Sequence, residues 1–81
     1  MRVLYFAWLR ERIGAALEEV ETEAATPAAL VAELRARSSR HAAAFKDVSA
    51  LRVAVDQEAV EFDAPLAGAR EEAFIPPVTG G

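Results

Sequence analysis

Along Arg2-Val-Leu-Tyr-Phe-Ala-Trp-Leu9 the apolar positions do not alternate with polar ones. Read as a strand, the segment turns Val3, Tyr5 and Ala7 to one face and Leu4, Phe6 and Trp8 to the other. A strand apolar on both sides calls for cover on both. One helix covers only one face of a small sheet, so the second face is left for a partner. Charge breaks the run at Arg10 to Gly14, with Ile13 as a loop anchor. Leu17 to Glu23 then reads as a second strand with Leu17 and Val20 as its apolar positions. A hairpin is the economical link between the two.

Thr26-Pro27 is the clearest punctuation. A threonine hydroxyl can accept from a free amide of a first helical turn, and proline suits the first helical position because its missing N–H costs nothing there. The helix so started runs to about Ser38, with Leu30, Val31 and Leu34 on one face and Glu33 and Arg37 four apart on the other. Ser39 to Lys46, with its alanine-rich centre, predicts a short second helix. Leu51 to Val55 alternates, Leu51, Val53 and Val55 facing inward. Asp56-Gln57 forms a tight turn, Glu58 to Phe62 is extended again, and Pro65-Leu66 opens a loop. Ala73-Phe-Ile75 is a short final strand, stopped by two prolines that cannot donate to a ladder. The order β-β-α-(short α)-β-β-β predicts an α+β chain of the β-grasp type: a mixed sheet of about five strands with one main helix and one short one.

Composition narrows what such a domain can do. Eighty-one residues make a single domain, here residues 1–81 with 77–81 as a projecting tail. Cysteine is absent, which rules out disulfide staples, thiolate metal sites and thiol catalysis on this chain. The net charge of −4 and scattered arginines argue against nucleic acid as a partner, and the acidic balance suits a partner with a basic docking face. No apolar run approaches the roughly 20 residues of a membrane span. The N-terminal stretch is too short for a signal peptide. A cytoplasmic location is the default expectation. Glu18, Glu19, Glu21 and Glu23, and likewise Glu71-Glu72, read as solvated charges rather than metal ligands. His41, the single histidine, reads as a surface residue far along the chain from the tail. A glycine-rich phosphate loop is also missing, so no cofactor is expected on this chain.

The ending Phe74-Ile-Pro-Pro-Val-Thr-Gly-Gly81 carries the chemistry. Two prolines stiffen the exit and favour an extended course. The five residues after Pro76, extended, reach about 15–18 Å at ~3.3–3.6 Å each. Gly80 and Gly81 have no side chains to widen the tip. A stiff base and slender end suit delivery of one backbone carboxylate into a narrow channel.

Over nearly its whole length the chain resembles the MoaD-type sulfur carriers, the small subunits of molybdopterin synthase. The likeness rests on Val3-Leu-Tyr-Phe-Ala7, Leu9-Arg-Glu11 with Gly14, Ala54-Val-Asp-Gln57, Phe62-Asp-Ala-Pro-Leu66 and, most specifically, Ala73-Phe-Ile-Pro-Pro-Val-Thr-Gly-Gly81. It departs from the family at Ala69-Arg70, where Gly-Asp is usual, and at Asp56, where asparagine is common. Thiamine-pathway carriers share the fold and the final Gly-Gly but are usually shorter and lack the double proline.

The resemblance implies a mechanism. A ubiquitin-activating-like adenylyltransferase, using ATP and Mg²⁺, converts the Gly81 carboxylate to an acyl-adenylate. A sulfurtransferase donor replaces AMP with sulfur, leaving a C-terminal thiocarboxylate. The tail, Pro77, Val78, Thr79, Gly80 and Gly81, enters the molybdopterin synthase large subunit and passes the sulfur to cyclic pyranopterin monophosphate. The catalytic side chains lie on that subunit, and a heterotetramer is implied. Apolar surface near the exit docks the partner: Phe6, Trp8, Phe74, Ile75, Pro77 and Val78, with Arg10 at the rim; for Phe6 and Phe74 plain core packing is the equal alternative. The alternatives are a carrier for thiamine or tRNA thiolation, a ubiquitin-like modifier joined through Gly81 to lysines, and a plain binding module.

Overall fold

The structure is a computed structural model and describes residues 1–77. Five strands form one sheet in the order β2-β1-β5-β3-β4. The strands are β1 Arg2–Tyr5, β2 Leu17–Glu19, β3 Arg52–Val55, β4 Glu58–Val60 and β5 Glu71–Ile75. The helices are α1 Ala7–Ile13, α2 Pro27–Arg37 and α3 Ser39–Ala44. β5, last in sequence, lies between β1, which it pairs in parallel, and β3, which it pairs antiparallel. This is the β-grasp arrangement.

The expected elements appear with one insertion. The apolar run does not continue as strand to Leu9, because Ala7 takes a left-handed backbone (φ 51°) and ends the extended course. The chain then turns into α1, which buries Leu9 and Ile13, four apart, and stops at Gly14. There φ is 89° and the glycine amide donates to the Arg10 carbonyl at 2.9 Å. Ile13 is thus a helical core residue rather than a loop anchor. β1 and β2 pair antiparallel as expected, but a helix joins them in place of a hairpin turn. β2 is also shorter than read, ending at Glu19; Val20 is buried, whereas Leu17 is exposed.

α2 begins as its sequence dictates. The Thr26 hydroxyl accepts from the Ala29 amide at 3.1 Å, with Pro27 in the first turn. Leu30, Val31 and Leu34 are buried. Glu33 takes a hydrogen bond from the Thr22 hydroxyl (2.7 Å) in place of the expected pairing with Arg37. The β3–β4 turn has positive φ at both Asp56 (48°) and Gln57 (71°), the signature of a type I′ turn. An Asp56 carboxylate oxygen accepts from the Arg70 and Glu71 amides, both at 3.0 Å, and so ties this turn to the start of β5.

All three helices bury side chains in one core with Val3, Tyr5, Val53 and Phe74. Tyr5 and Phe74 stack with ring centroids 6.4 Å apart, and Phe45 meets Phe74 edge-on at 5.0 Å.

Candidate functional site

The site is built around the strand that leads into the tail. β5 ends at Ile75; Pro76 is buried and Pro77 exposed. Residues Val78, Thr79, Gly80 and Gly81, which carry the expected chemistry, lie outside the described residues. The structure therefore describes the base of the tail and the surface around it.

Beside that base stands Phe6. Its amide donates to the Phe74 carbonyl at 3.3 Å, and its side chain is 45% exposed. Ile75 is 38% exposed. On α1, Trp8 is half-buried under the Arg12 guanidinium, 4.6 Å from the ring centroid, and Arg10 is exposed. Phe6, Ile75 and Pro77 thus offer apolar surface at the exit, with Trp8 and Arg10 on the adjoining helix. Phe74 does not join them. Its side chain is fully buried among Tyr5, Phe45 and Val53 because it falls on the helix side of β5. It is a core residue, and the expectation of a docking role is corrected by strand alternation.

Register shows a feature the one-dimensional pattern could not. Leu17, Leu4, Ala73, Ala54 and Ala59 are successive partners across all five strands. They form an apolar row on the face opposite the core. Among the described residues no helix packs on this face. Arg2 borders the row between Glu19 (3.7 Å) and Glu71 (3.9 Å). The exposed Arg2–Glu19 pair orients side chains more than it stabilises the fold. Leu4, Leu17, Ala54 and Ala73 had no signal in the sequence as a group, since only pairing brings them together.

Two sets of groups read as solvent-facing prove otherwise. His41 is buried. One ring nitrogen, Nε2, lies 2.7 Å from a Glu18 carboxylate oxygen, and Nδ1 lies 2.6 Å from the Ser38 hydroxyl. Tyr5 also donates to Glu18, at 2.8 Å. Partial burial would raise the Glu18 pKa, but the hydrogen bonds from His41 and Tyr5 outweigh it and hold the carboxyl below its ordinary value. Burial, and then the bond to Glu18, push the Tyr5 phenol strongly up. Glu72 is fully buried, whereas Glu19, Glu21 and Glu23 are exposed as expected. The misread residues all sit on the helix-covered face, where strand pairing puts Glu18 and Glu72 on either side of Val3.

Among the described residues no group of three or more His, Asp or Glu side chains is placed to hold a metal ion. Nor, among the described residues, is any helix long and apolar enough to cross a membrane.

Residues 3–81 match the model of the ThiS family. The chain is 44% identical to the molybdopterin synthase sulfur carrier subunit of Escherichia coli (strain K12), over 100% of this chain and 99% of that protein. It is 35% identical to the Haemophilus influenzae protein of the same name, with the same coverage. Among solved structures, SAMP1 from Haloferax volcanii superposes with a TM-score of 0.75 at 25% identity, covering 100% of this chain and 98% of that one. A Pyrococcus furiosus protein described as molybdopterin converting factor, subunit 1, superposes at 0.73 with 29% identity and 95% of each chain covered.

Proposed function

The chain belongs to the ThiS family, and from that premise we propose that it is the sulfur-carrier subunit of a molybdopterin synthase, acting through the backbone carboxylate of Gly81. The observation that carries this reading is the end-to-end similarity, 44% over all 81 residues, to a protein named for that role. The exposed surface at the tail base adds physical support.

The chemistry follows from the weakness of a carboxylate as an electrophile. A ubiquitin-activating-like adenylyltransferase, with ATP and Mg²⁺, joins the Gly81 carboxylate to AMP and releases pyrophosphate. The terminal sulfur of a donor persulfide attacks the activated carbonyl, AMP leaves, and a thiol reductant cleaves the resulting S–S bond so that the thiocarboxylate remains. Thiocarboxylic acids are stronger acids than thiols, so the sulfur is anionic and nucleophilic near neutrality without a base on this chain. In the large subunit the sulfur passes to cyclic pyranopterin monophosphate, and water restores the carboxylate. The chain contributes the reactive end and the docking surface: Phe6, Ile75 and Pro77 at the exit, Trp8 and Arg10 beside them, and the row from Leu17 to Ala59 across the open face. Val78, Thr79 and Gly80 line the inserted tail. On this proposal the protein works in the cytoplasm, in a two-plus-two assembly with the large subunit.

Deleting Gly81, or adding one residue after it, leaves thermal melting unchanged and abolishes sulfur transfer to the pterin in a reconstituted synthase assay. Intact mass spectrometry of protein isolated from cells shows one oxygen replaced by sulfur at the C-terminus. An extended variant that still delivers sulfur refutes the reading. A second reading, a modifier joined through Gly81 to lysines, draws on the similarity to SAMP1; higher-mass conjugates that disappear on deleting Gly81 would favour it.

A further inference from the structure

Glu72 sits on the helix-covered side of the central strand, in register with Val3 of β1 and Val55 of β3. Its side chain is 0% exposed. Its two carboxyl oxygens are the only buried side-chain polar atoms without a hydrogen-bond partner among the described residues. The surrounding elements offer little compensation. β1 presents Val3 and the Tyr5 phenol, and β3 presents Val53 and Val55. Glu18 of β2 and Glu58 of β4 stand at the two ends of the same row. α1 turns Leu9 and Ile13 inward and α2 turns Pro27, Leu30, Val31 and Leu34. α3 contributes Ala44 and His41, whose ring is held by Glu18 and Ser38. Among the described residues, then, the titratable groups on this face are Tyr5 and two carboxylates, with the one nearby histidine committed elsewhere and the Arg37 charge of α2 acting on Tyr5 and Glu18. An ionised carboxylate here has neither water nor a counter-charge, whereas the neutral acid costs far less to bury. Burial pushes its pKa from 4.5 up to about 7.

We propose that Glu72 is a proton latch on β5: the fold holds it as the neutral acid, and loss of that proton loosens the central strand of the sheet. The unfolded chain gives up the proton near pH 4.5, while the folded chain keeps it to about pH 7. Between those values the folded state binds more protons, so stability falls as pH rises and levels off above the folded value. The folding equilibrium constant drops on the order of 300-fold across the window, the factor that follows from linkage when the two values stand so far apart. The linkage acts on the strand leading into Pro76 and Pro77 whatever the chain end bears, so it does not depend on the proposed function.

Urea unfolding of the full chain at pH 5, 6, 7 and 8 tests it, alongside Glu72→Gln and Glu72→Val. The expected result is a wild-type stability that falls across this range more steeply than that of either variant, with the valine variant the most stable at pH 8. Amide exchange at Ala73 and Phe74, corrected for intrinsic rate, quickens over the same range in wild type alone. If the glutamine variant fails to fold, the valine variant serves. If both fail, ¹³C NMR of the wild-type Glu72 carboxyl reads the titration directly. Parallel pH profiles for wild type and variants, or a carboxyl midpoint in the ordinary acid range, overturn the proposal.

Discussion

The covered face of the sheet sets Tyr5, Phe74 and Val53 side by side, large side chains closed over by three helices. The opposite face carries Leu17, Leu4, Ala73, Ala54 and Ala59 across the same strands, three of them alanines. The same strand alternation produces both, but the side chains differ in what they lose when nothing covers them. A large aromatic left open would cost several kcal/mol of unburied apolar area, at about 25 cal/mol per Å². An alanine leaves little area open, and it lets another surface approach the strands closely. One face is therefore spent on folding. The other carries mostly small side chains, which lose little when no helix covers them.

The contrast can be broken most violently at Phe74. Phe74→Ala removes the ring that packs with Tyr5 and Phe45 and should cost about 3–5 kcal/mol, measured by urea unfolding. His41→Ala attacks the polar edge of the same face. It leaves Glu18 with Tyr5 alone and should cost about 2 kcal/mol by the same measurement. Linkage sharpens that result. The Glu18 carboxyl is held below its ordinary 4.5 in the folded chain. Its stabilisation is therefore present above that value and is lost as pH falls below it, when the unfolded chain takes up the proton first. Acid unfolding should flatten in Glu18→Gln.

Gly14→Ala tests the helix that joins β1 to β2. A Cβ there meets the Arg40 guanidinium at 2.6 Å and a backbone with φ 89°. A loss of about 1–2 kcal/mol is expected, from the left-handed backbone cost alone. The smallest stability effect belongs to the open side. Ile75→Ala and Leu17→Ala should each change folding by no more than about 0.5 kcal/mol. Either should nevertheless weaken binding to the synthase large subunit in calorimetry. If they destabilise the isolated chain as much as Phe74→Ala, the division between the faces is wrong.

Much of this organisation was legible in the residues. Thr26-Pro27 announced α2, because cap chemistry is local. Leu30, Val31 and Leu34 announced its buried side, because helical spacing is local too. The Asp56-Gln57 turn and the stop at Pro76-Pro77 belong to the same class. α1 was missed because a continuous apolar run hides a change of period, and the break falls at Ala7, an alanine in a left-handed backbone rather than a glycine. The spacing of Leu9 and Ile13, closed by Gly14, was the available signal. The buried state of Glu18, His41 and Glu72 was not legible at all. It depends on which strands lie beside one another, and the parallel pairing of residues about seventy positions apart leaves no mark on local pattern. The choice between docking and core packing at Phe74 has the same origin. Its neighbour Ile75 faces out and Phe74 faces in, a choice made by register.

The position of β5 has a consequence for how the protein is made. The last of the described strands to leave the ribosome is the middle one in space, and β1 and β3, which pair with it and not with each other, cannot join in one sheet until residues 71–75 emerge. The sheet cannot close early, and contacts of such high sequence separation form late. Pro76 and Pro77 therefore leave a finished scaffold, because the strand they follow also completes the fold.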